Sequence, residues 1–168
     1  MVINTRHGRE TMTSTKSFPE QDVPASGTPL DAGQLAAIVE RIAAADPAAR
    51  ISQGTMRRWT LAEETATYQA WIIAWPAGAG LGLHDHSGSA AAIHVADGQL
   101  RERYTTDSGL TVRWIDNGST VQLPHDHIHE VVNVGSLEAI SVHAYSPPIL
   151  DMSFRTDPSI DLGTTDIA

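Results

Sequence analysis

The spacing of apolar residues near the start of the chain predicts one amphipathic helix. Four large apolar residues recur at the spacing of a single helical face: Leu35, Ile38, Val39 and Ile42. Asp31, followed three residues later by Gln34, is typical of an N-terminal capping box, and Pro47 ends the pattern. We therefore predict a helix over about residues 30–46 whose apolar face packs against a sheet.

Beyond this helix, short runs of bulky residues alternate with turn residues. These runs predict seven strands over residues 68–75, 91–95, 99–104, 111–115, 120–123, 130–134 and 139–145. Asp97-Gly98 and Asn117-Gly118 lie between such runs and are typical of tight hairpins. Strands of this length and spacing predict an all-β sandwich or barrel, with the helix packed on its outside.

The sequence pattern divides the chain into a polar N-terminal segment and one predicted domain. Residues 1–29 are rich in Thr, Ser, Gly, Pro and charged residues without an apolar period, which predicts a flexible leader. With 168 residues in all, and a common domain size of about 100–150 residues, residues 30–168 are expected to form a single domain. We expect a monomer or a small homo-oligomer.

Composition excludes several kinds of partner and chemistry. The chain has 11 Lys and Arg against 20 Asp and Glu, a formal charge of −9, which argues against nucleic acid or an anionic membrane as partner. No apolar run approaches the roughly 20 residues of a membrane helix, and no signal peptide is apparent, so the cytoplasm is the expected location. The absence of cysteine excludes disulfides, cysteine-based metal sites and thiol nucleophiles.

Eight histidines direct attention to metal chemistry, and five of them form two groups. His84 and His86 are two residues apart, so on a strand their side chains share one face while Asp85 points away. The second group contains His125, His127 and His129. These three also share a face on a regular strand, so spacing alone does not choose among them as the source of a third ligand.

The spacing of glycines, histidines and a proline resembles the two motifs of the cupin superfamily. The first motif is matched by Gly78, His84, His86 and Gly98, and the second by Pro124, His129 and Asn133. The resemblance implies a small jelly-roll-like β-barrel and selects His129 as the third metal ligand, leaving His125 and His127 as loop or rim residues. The acidic ligand usual in the first motif is missing, because residues 87–92 are small and neutral. Three neutral imidazoles would then hold the metal.

Within the cupins, residues from about 56 to 148 resemble the cysteine dioxygenase-type thiol dioxygenases. The most specific match is the stretch 139–148, in which Ser141, His143 and Tyr145 alternate and so point into the barrel from one strand. The resemblance implies that serine and histidine orient the tyrosine hydroxyl beside Fe(2+). It also implies a reaction in which a small carboxylated, cysteine-like thiol and O2 give a sulfinic acid.

The resemblance also bears on substrate binding. A carboxylate favours an arginine fork, and Arg58 takes the position of the family's substrate arginine, with Arg57 pointing elsewhere if the segment is extended. Arg155 is the alternative, since relatives that act on 3-mercaptopropionate draw their arginine from that region. Met56 replaces a usual tyrosine, which leaves cysteine and 3-mercaptopropionate both open as substrates.

Two other classes of function are compatible with these motifs. A cupin module that binds or senses a small acid at its metal would need the same histidines but no turnover. Another metal-dependent cupin enzyme, such as an isomerase or a carbon–carbon-cleaving dioxygenase, would also use them. Eukaryotic relatives cross-link the tyrosine to a cysteine, but the matching position here is about Ala91, so Tyr145 is expected to act unmodified.

Overall fold

The computed structural model describes residues 27–52 and 54–155. Helix α1 spans Ala32–Ala43, and Asp31 and Gln34 form the predicted capping box at its start. A short 3₁₀-helix follows at Pro47–Arg50. The helix prediction is therefore confirmed, with each end a few residues inside the expected range. The predicted leader over residues 1–29 lies almost entirely outside the described residues.

Ten strands make up the rest of the described chain. They are β1 (Arg58–Glu64), β2 (Gln69–Trp75), β3 (Gly80–Asp85), β4 (Ala90–Asp97), β5 (Gln99–Thr106), β6 (Gly109–Asp116), β7 (Thr120–Leu123), β8 (His129–Val132), β9 (Ala139–Ser146) and β10 (Ser153–Phe154). All seven predicted runs fall on strands. The runs that form β1, β3 and β10 were not among the seven. Strand β1 is a half-buried edge strand without clear apolar alternation, β3 contains two glycines, and β10 has only two residues.

The strands form two five-stranded antiparallel sheets, in the orders β1-β2-β9-β4-β7 and β10-β3-β8-β5-β6. One apolar core contains residues from both, including Ile93 of β4, Leu100 of β5 and Val131 of β8, so the sheets pack face to face. The all-β prediction is confirmed. The single closed barrel is not seen, because no strand pairing among the described residues joins the two sheets.

Strand β9 explains how the fold positions a site, because it is buried along its whole length. Ile140, Val142 and Ala144 point to the outer face of their sheet and pack in one cluster with the apolar face of α1. The alternate residues of β9 must therefore point between the two sheets. The helix thus covers one face of the sheet and leaves the other face for the cavity. None of the helices described is long and apolar enough to cross a membrane.

Candidate metal centre and cavity

Three histidines meet between the sheets. His84 lies near the end of β3, His86 follows that strand directly, and His129 opens β8 opposite His84. Their ligand nitrogens all lie within 4.8 Å of one another, and the Nε2 atoms of His86 and His129 are 3.2 Å apart. All three side chains are almost completely buried. The structure therefore brings together the three residues that the sequence predicts as ligands.

Hydrogen bonds orient two of these rings. Nδ1 of His84 donates to the carbonyl of Gly82 at 2.8 Å, and Nδ1 of His129 donates to Oε1 of Glu102 at 2.7 Å. Since the carbonyl and the carboxylate only accept, the hydrogen of each neutral ring is on Nδ1 and the lone pair is on Nε2. Both rings thus present a free Nε2 lone pair toward the middle of the group.

The three rings are held in the protonation state in which imidazole can bind a metal cation. Burial lowers the pKa of His84 to about 3 and also holds the pKa values of His86 and His129 below their ordinary value. Neutral imidazoles are the form that ligates metals. Nitrogens bound to one cation at right angles, each about 2.1 Å away, lie about 3.0 Å apart, close to the observed 3.2 Å. Among the described residues, no acidic side chain joins this group of three.

Glu102 of β5 supports the group from behind, and the sequence reasoning gave it no role. It is fully buried, and its Oε1 accepts hydrogen bonds from His129 and, at 2.8 Å, from Nε2 of His127. Its Oε2 pairs with Arg113. Burial alone would raise the pKa of Glu102, but these three donors lower it below its ordinary value, so it stays ionised. His127 thus lies in the loop before β8, as expected, but is buried in this cluster, whereas His125 in the same loop is exposed.

The three residues of β9 form a hydrogen-bond relay. Oγ of Ser141 lies 2.9 Å from Nε2 of His143, and Nδ1 of His143 lies 3.1 Å from the hydroxyl of Tyr145. The Tyr145 ring stands edge-on to His86, with ring centroids 5.0 Å apart. Burial raises the pKa of Tyr145 above its ordinary value, so the phenol keeps its proton. Ala91 of β4 pairs with Tyr145, so the nearest strand offers only a methyl group.

His84, His129, His143 and Tyr145 line a cavity of about 130 Å³. Most of its wall is apolar or aromatic and comes from Trp59, Trp71, Ile73, Trp75, Leu81, Val131, Ile149, Met152 and Phe154. Among the described lining residues, Arg57 is the one permanent cation and no carboxylate is present. The ring of Phe154, on β10, packs against the ring of His84, with the two ring centroids 5.8 Å apart.

The two arginines predicted to bind substrate lie outside this wall. Arg58 donates to backbone carbonyls on the preceding loop and pairs with Glu138, and Arg155 pairs with Asp85 at the surface. Arg57 instead places its guanidinium over the rings of Trp59 and Trp75. Neighbouring residues of an extended segment point to opposite sides, so the expectation about which of the pair faces the cavity was reversed.

The Arg57 side chain is fixed by a hydrogen bond but has no acidic partner among the described residues. It donates to the carbonyl of Gly80 at 2.7 Å, and no acidic residue among those described pairs with it. Burial lowers its pKa from the ordinary value, yet a guanidinium remains protonated at any physiological pH. Among the described residues, the cavity therefore has one positive charge without a counter-ion, on the wall beside the relay.

Asn133 connects backbone groups on either side of strand β8. Its Nδ2 donates to the carbonyls of Trp75 and Leu137, both at 2.7 Å, and its Oδ1 accepts from the backbone of Gly135. These bonds tie the end of β2 to the segment after β8. His94 lies outside the cavity wall, where its Nδ1 contacts Thr120.

Comparison with solved structures defines the class of fold. A conserved protein with a double-stranded β-helix domain from Klebsiella pneumoniae subsp. pneumoniae matches at TM-score 0.54 and 11% identity, over 79% of this chain and 100% of that one. An oxalate oxidase in complex with the substrate analogue glycolate matches at TM-score 0.53 and 19% identity. That match covers 61% of this chain and only 57% of the oxidase. The fold is therefore that of a double-stranded β-helix domain, and it carries a histidine group that could hold a metal ion.

The family follows from sequence. Residues 44–156 match the family model for cysteine dioxygenase type I, and the chain belongs to that family. No curated protein matches the chain. The matched segment contains every strand, the three histidines and the relay, so the resemblance recognised from the motifs is confirmed.

Proposed function

We propose that this protein is an Fe(2+)-dependent thiol dioxygenase that converts a small carboxylated thiol and O2 to a sulfinic acid. The observation that carries the proposal is the group of three buried, neutral imidazoles without a carboxylate, next to a phenol and an unpaired guanidinium. A cation held by neutral ligands keeps its full positive charge, which favours an anionic sulfur ligand. His84, His86 and His129 are the proposed ligands.

Iron held by these histidines would supply a Lewis acid that lowers the thiol pKa and a redox centre for O2. The protein's own groups orient the substrate. Arg57 is the group we assign to the substrate carboxylate, since its fork is held on two tryptophan rings and pairs with no acidic residue in the described part of the chain. This replaces both Arg58 and Arg155 in that role.

Tyr145 acts as a hydrogen-bond donor at the reacting end of the substrate. Its raised pKa keeps the phenol protonated, and His143 positions its oxygen. The apolar walls exclude water from the surroundings, which strengthens each of these polar interactions. Together, Arg57 binds the substrate carboxylate and Tyr145 offers a hydrogen-bond donor from the same wall of the cavity.

The lining of the cavity favours, as substrate, a thiol acid that has no amino group. Cysteine carries an α-ammonium group, and a buried ammonium is costly without an acceptor or an anion. No carboxylate lines the described cavity. We therefore place 3-mercaptopropionate or a related mercapto acid ahead of cysteine as the substrate.

An oxygen-consumption assay tests the proposal. Iron-loaded protein is incubated with 3-mercaptopropionate, L-cysteine and cysteamine, the last being the matched thiol that lacks a carboxylate. We expect fastest turnover with 3-mercaptopropionate, slower turnover with cysteine and least with cysteamine, and a product that has gained two oxygen atoms by mass spectrometry. Iron-loaded protein that consumes no O2 with any of these thiols would support the non-catalytic binding module instead.

A further inference from the structure

We propose that Trp75 is a positioning residue that fixes the direction of the Ser141–His143–Tyr145 relay, so that the Tyr145 hydroxyl donates into the cavity. Nε1 of Trp75 lies 2.8 Å from Oγ of Ser141, which extends the relay by one residue beyond the motif. The inference deepens the proposed function and rests on it for its catalytic meaning. The part of the proposal that concerns structure is which ring nitrogen of His143 carries the hydrogen. That can be tested without any measurement of activity.

The indole of Trp75 can only donate a hydrogen bond. Oγ of Ser141 must therefore accept from Trp75. The hydroxyl hydrogen of Ser141 is then free to point at Nε2 of His143, which lies 2.9 Å away. Ser141 is fully buried, and the described residues offer its side chain no other hydrogen-bond partner.

The bond that His143 accepts at Nε2 then determines which bond it makes at Nδ1. A neutral His143 that accepts at Nε2 carries its hydrogen on Nδ1 and donates it to the Tyr145 oxygen at 3.1 Å. His143 is buried and has no carboxylate within hydrogen-bond distance among the described residues, and burial lowers its pKa to about 3, so the neutral form applies. The oxygen of Tyr145 is thus occupied as an acceptor by His143.

The hydrogen of Tyr145 must then be donated elsewhere. The described residues provide no second partner for this hydroxyl, and Tyr145 lines the cavity next to His86. The hydrogen is therefore available to a molecule bound in the cavity. This is a donor fixed in advance, as electrostatic stabilisation of a developing anion requires.

The opposite direction is disfavoured because the other described neighbour of Oγ of Ser141, the indole, cannot accept a hydrogen bond. In a reversed relay Tyr145 would donate to Nδ1 of His143, and Nε2 would donate to Ser141. Oγ of Ser141 would then accept from both His143 and Trp75, and its own hydrogen would be buried without an acceptor. Tyr145 would offer the cavity only a lone pair.

Trp75 is itself held firmly. The Arg57 guanidinium lies 5.4 Å above its ring, and Asn133 donates to its backbone carbonyl at 2.7 Å. Its position at the end of β2 places it diagonally across from Ser141, since β9 pairs Ser141 with Ile73 and Ala139 with Trp75. The orientation of the relay is thus set by a residue from the adjacent strand.

The tautomer of His143 tests the proposal by NMR. Zinc-loaded protein, which is diamagnetic, is labelled with ¹⁵N-histidine, and long-range ¹H–¹⁵N spectra report which ring nitrogen carries the hydrogen. A His143→Gln spectrum assigns the signals. We expect a single tautomer with hydrogen on Nδ1 in the wild type and a mixture of both tautomers in Trp75→Phe, which keeps an aromatic ring but loses the donor. The wild type with hydrogen on Nε2, or an unchanged Trp75→Phe spectrum, would overturn the proposal.

Matched variants separate this effect from general disturbance. Trp71→Phe removes another cavity indole, whose Nε1 bonds to Gln69 on its own strand at 2.6 Å, and should leave the His143 tautomer as in the wild type. Ser141→Ala removes the acceptor that a hydrogen on Nε2 of His143 would need, so the hydrogen should stay on Nδ1 in that variant. If Trp75→Phe does not fold, the wild-type tautomer still decides the proposal. The spectra need no substrate, so a failure of thiol oxidation and a failure of this proposal are distinguishable.

Discussion

Replacing Glu102 with glutamine keeps the size of a fully buried side chain and removes its charge. In the wild type the carboxylate accepts from His127 and His129 on one oxygen and pairs with Arg113 on the other. An amide can still accept one hydrogen bond from His129, but that bond is no longer charge-assisted. The variant therefore weakens the orientation of a proposed metal ligand without touching the metal itself.

The magnitude follows from the contacts. A hydrogen bond to a charged group contributes about 1.5–3 kcal/mol against about 0.5–1.5 kcal/mol for a neutral one, a loss of roughly 1–1.5 kcal/mol at His129. Loss of a negative charge behind the ring also lowers the affinity for a cation. Together we expect metal affinity to fall about 10–100-fold, the range typical for groups that support a metal ligand.

A competition assay against a coloured chelator measures this loss, with Fe(2+) under anaerobic conditions. Glu130→Gln is the matched control, because Glu130 is also a buried glutamate on this sheet and pairs with Arg101 and Arg103. Although it follows His129 in the chain, its carboxylate has no hydrogen bond to any of the three proposed ligands among the described contacts. Both variants should lose some stability from the weakened arginine pairing, so affinity is compared at a temperature where both are folded. Equal metal affinity in the two variants would refute the reasoning.

Three further predictions concern the ligands, the substrate site and acid stability. His129→Ala should lose bound iron, whereas His125→Ala, altered at an exposed side chain, should retain it; equal loss on metal analysis would reject the choice of third ligand. Arg57→Ala should raise KM for 3-mercaptopropionate roughly tenfold or more, while Arg58→Ala changes it little; the reverse pattern in the oxygen assay would return the carboxylate to Arg58. Because the pKa of His84 is about 3 when folded and 6.5 when unfolded, the unfolded chain binds more protons in that window. The metal-free protein should therefore lose up to about 1.4 kcal/mol per pH unit from this residue as pH falls below 6.5, and urea midpoints that stay constant between about pH 7 and 5 would contradict this.

Local patterns predicted most of the secondary structure because each depends on residues close together in the chain. The capping box at Asp31 and Gln34 and the apolar stripe on α1 are features of a few helical turns, and both are present. The runs predicted over residues 68–75 and 139–145 end within one residue of the observed strands β2 and β9. Strand β1, at a half-buried edge, lacks such a pattern.

The arginine pair shows where local patterns stop being informative. Residues 57 and 58 are chemically identical, and an extended backbone puts them on opposite sides. Which side faces the cavity depends on how the chain enters β1 and on the tryptophans that receive the guanidinium. Neither feature can be read from the spacing of residues near position 58.

By itself the sequence determined the chemical groups available: histidines two apart on a strand, an alternating serine, histidine and tyrosine, and no cysteine. Tertiary structure alone decided how those groups are supported. The pairing of Glu102 with His129 joins β5 to β8, and the contact of Trp75 with Ser141 joins β2 to β9. Such contacts depend on strand register and on which faces are buried, and these follow from packing the whole chain rather than from any short segment.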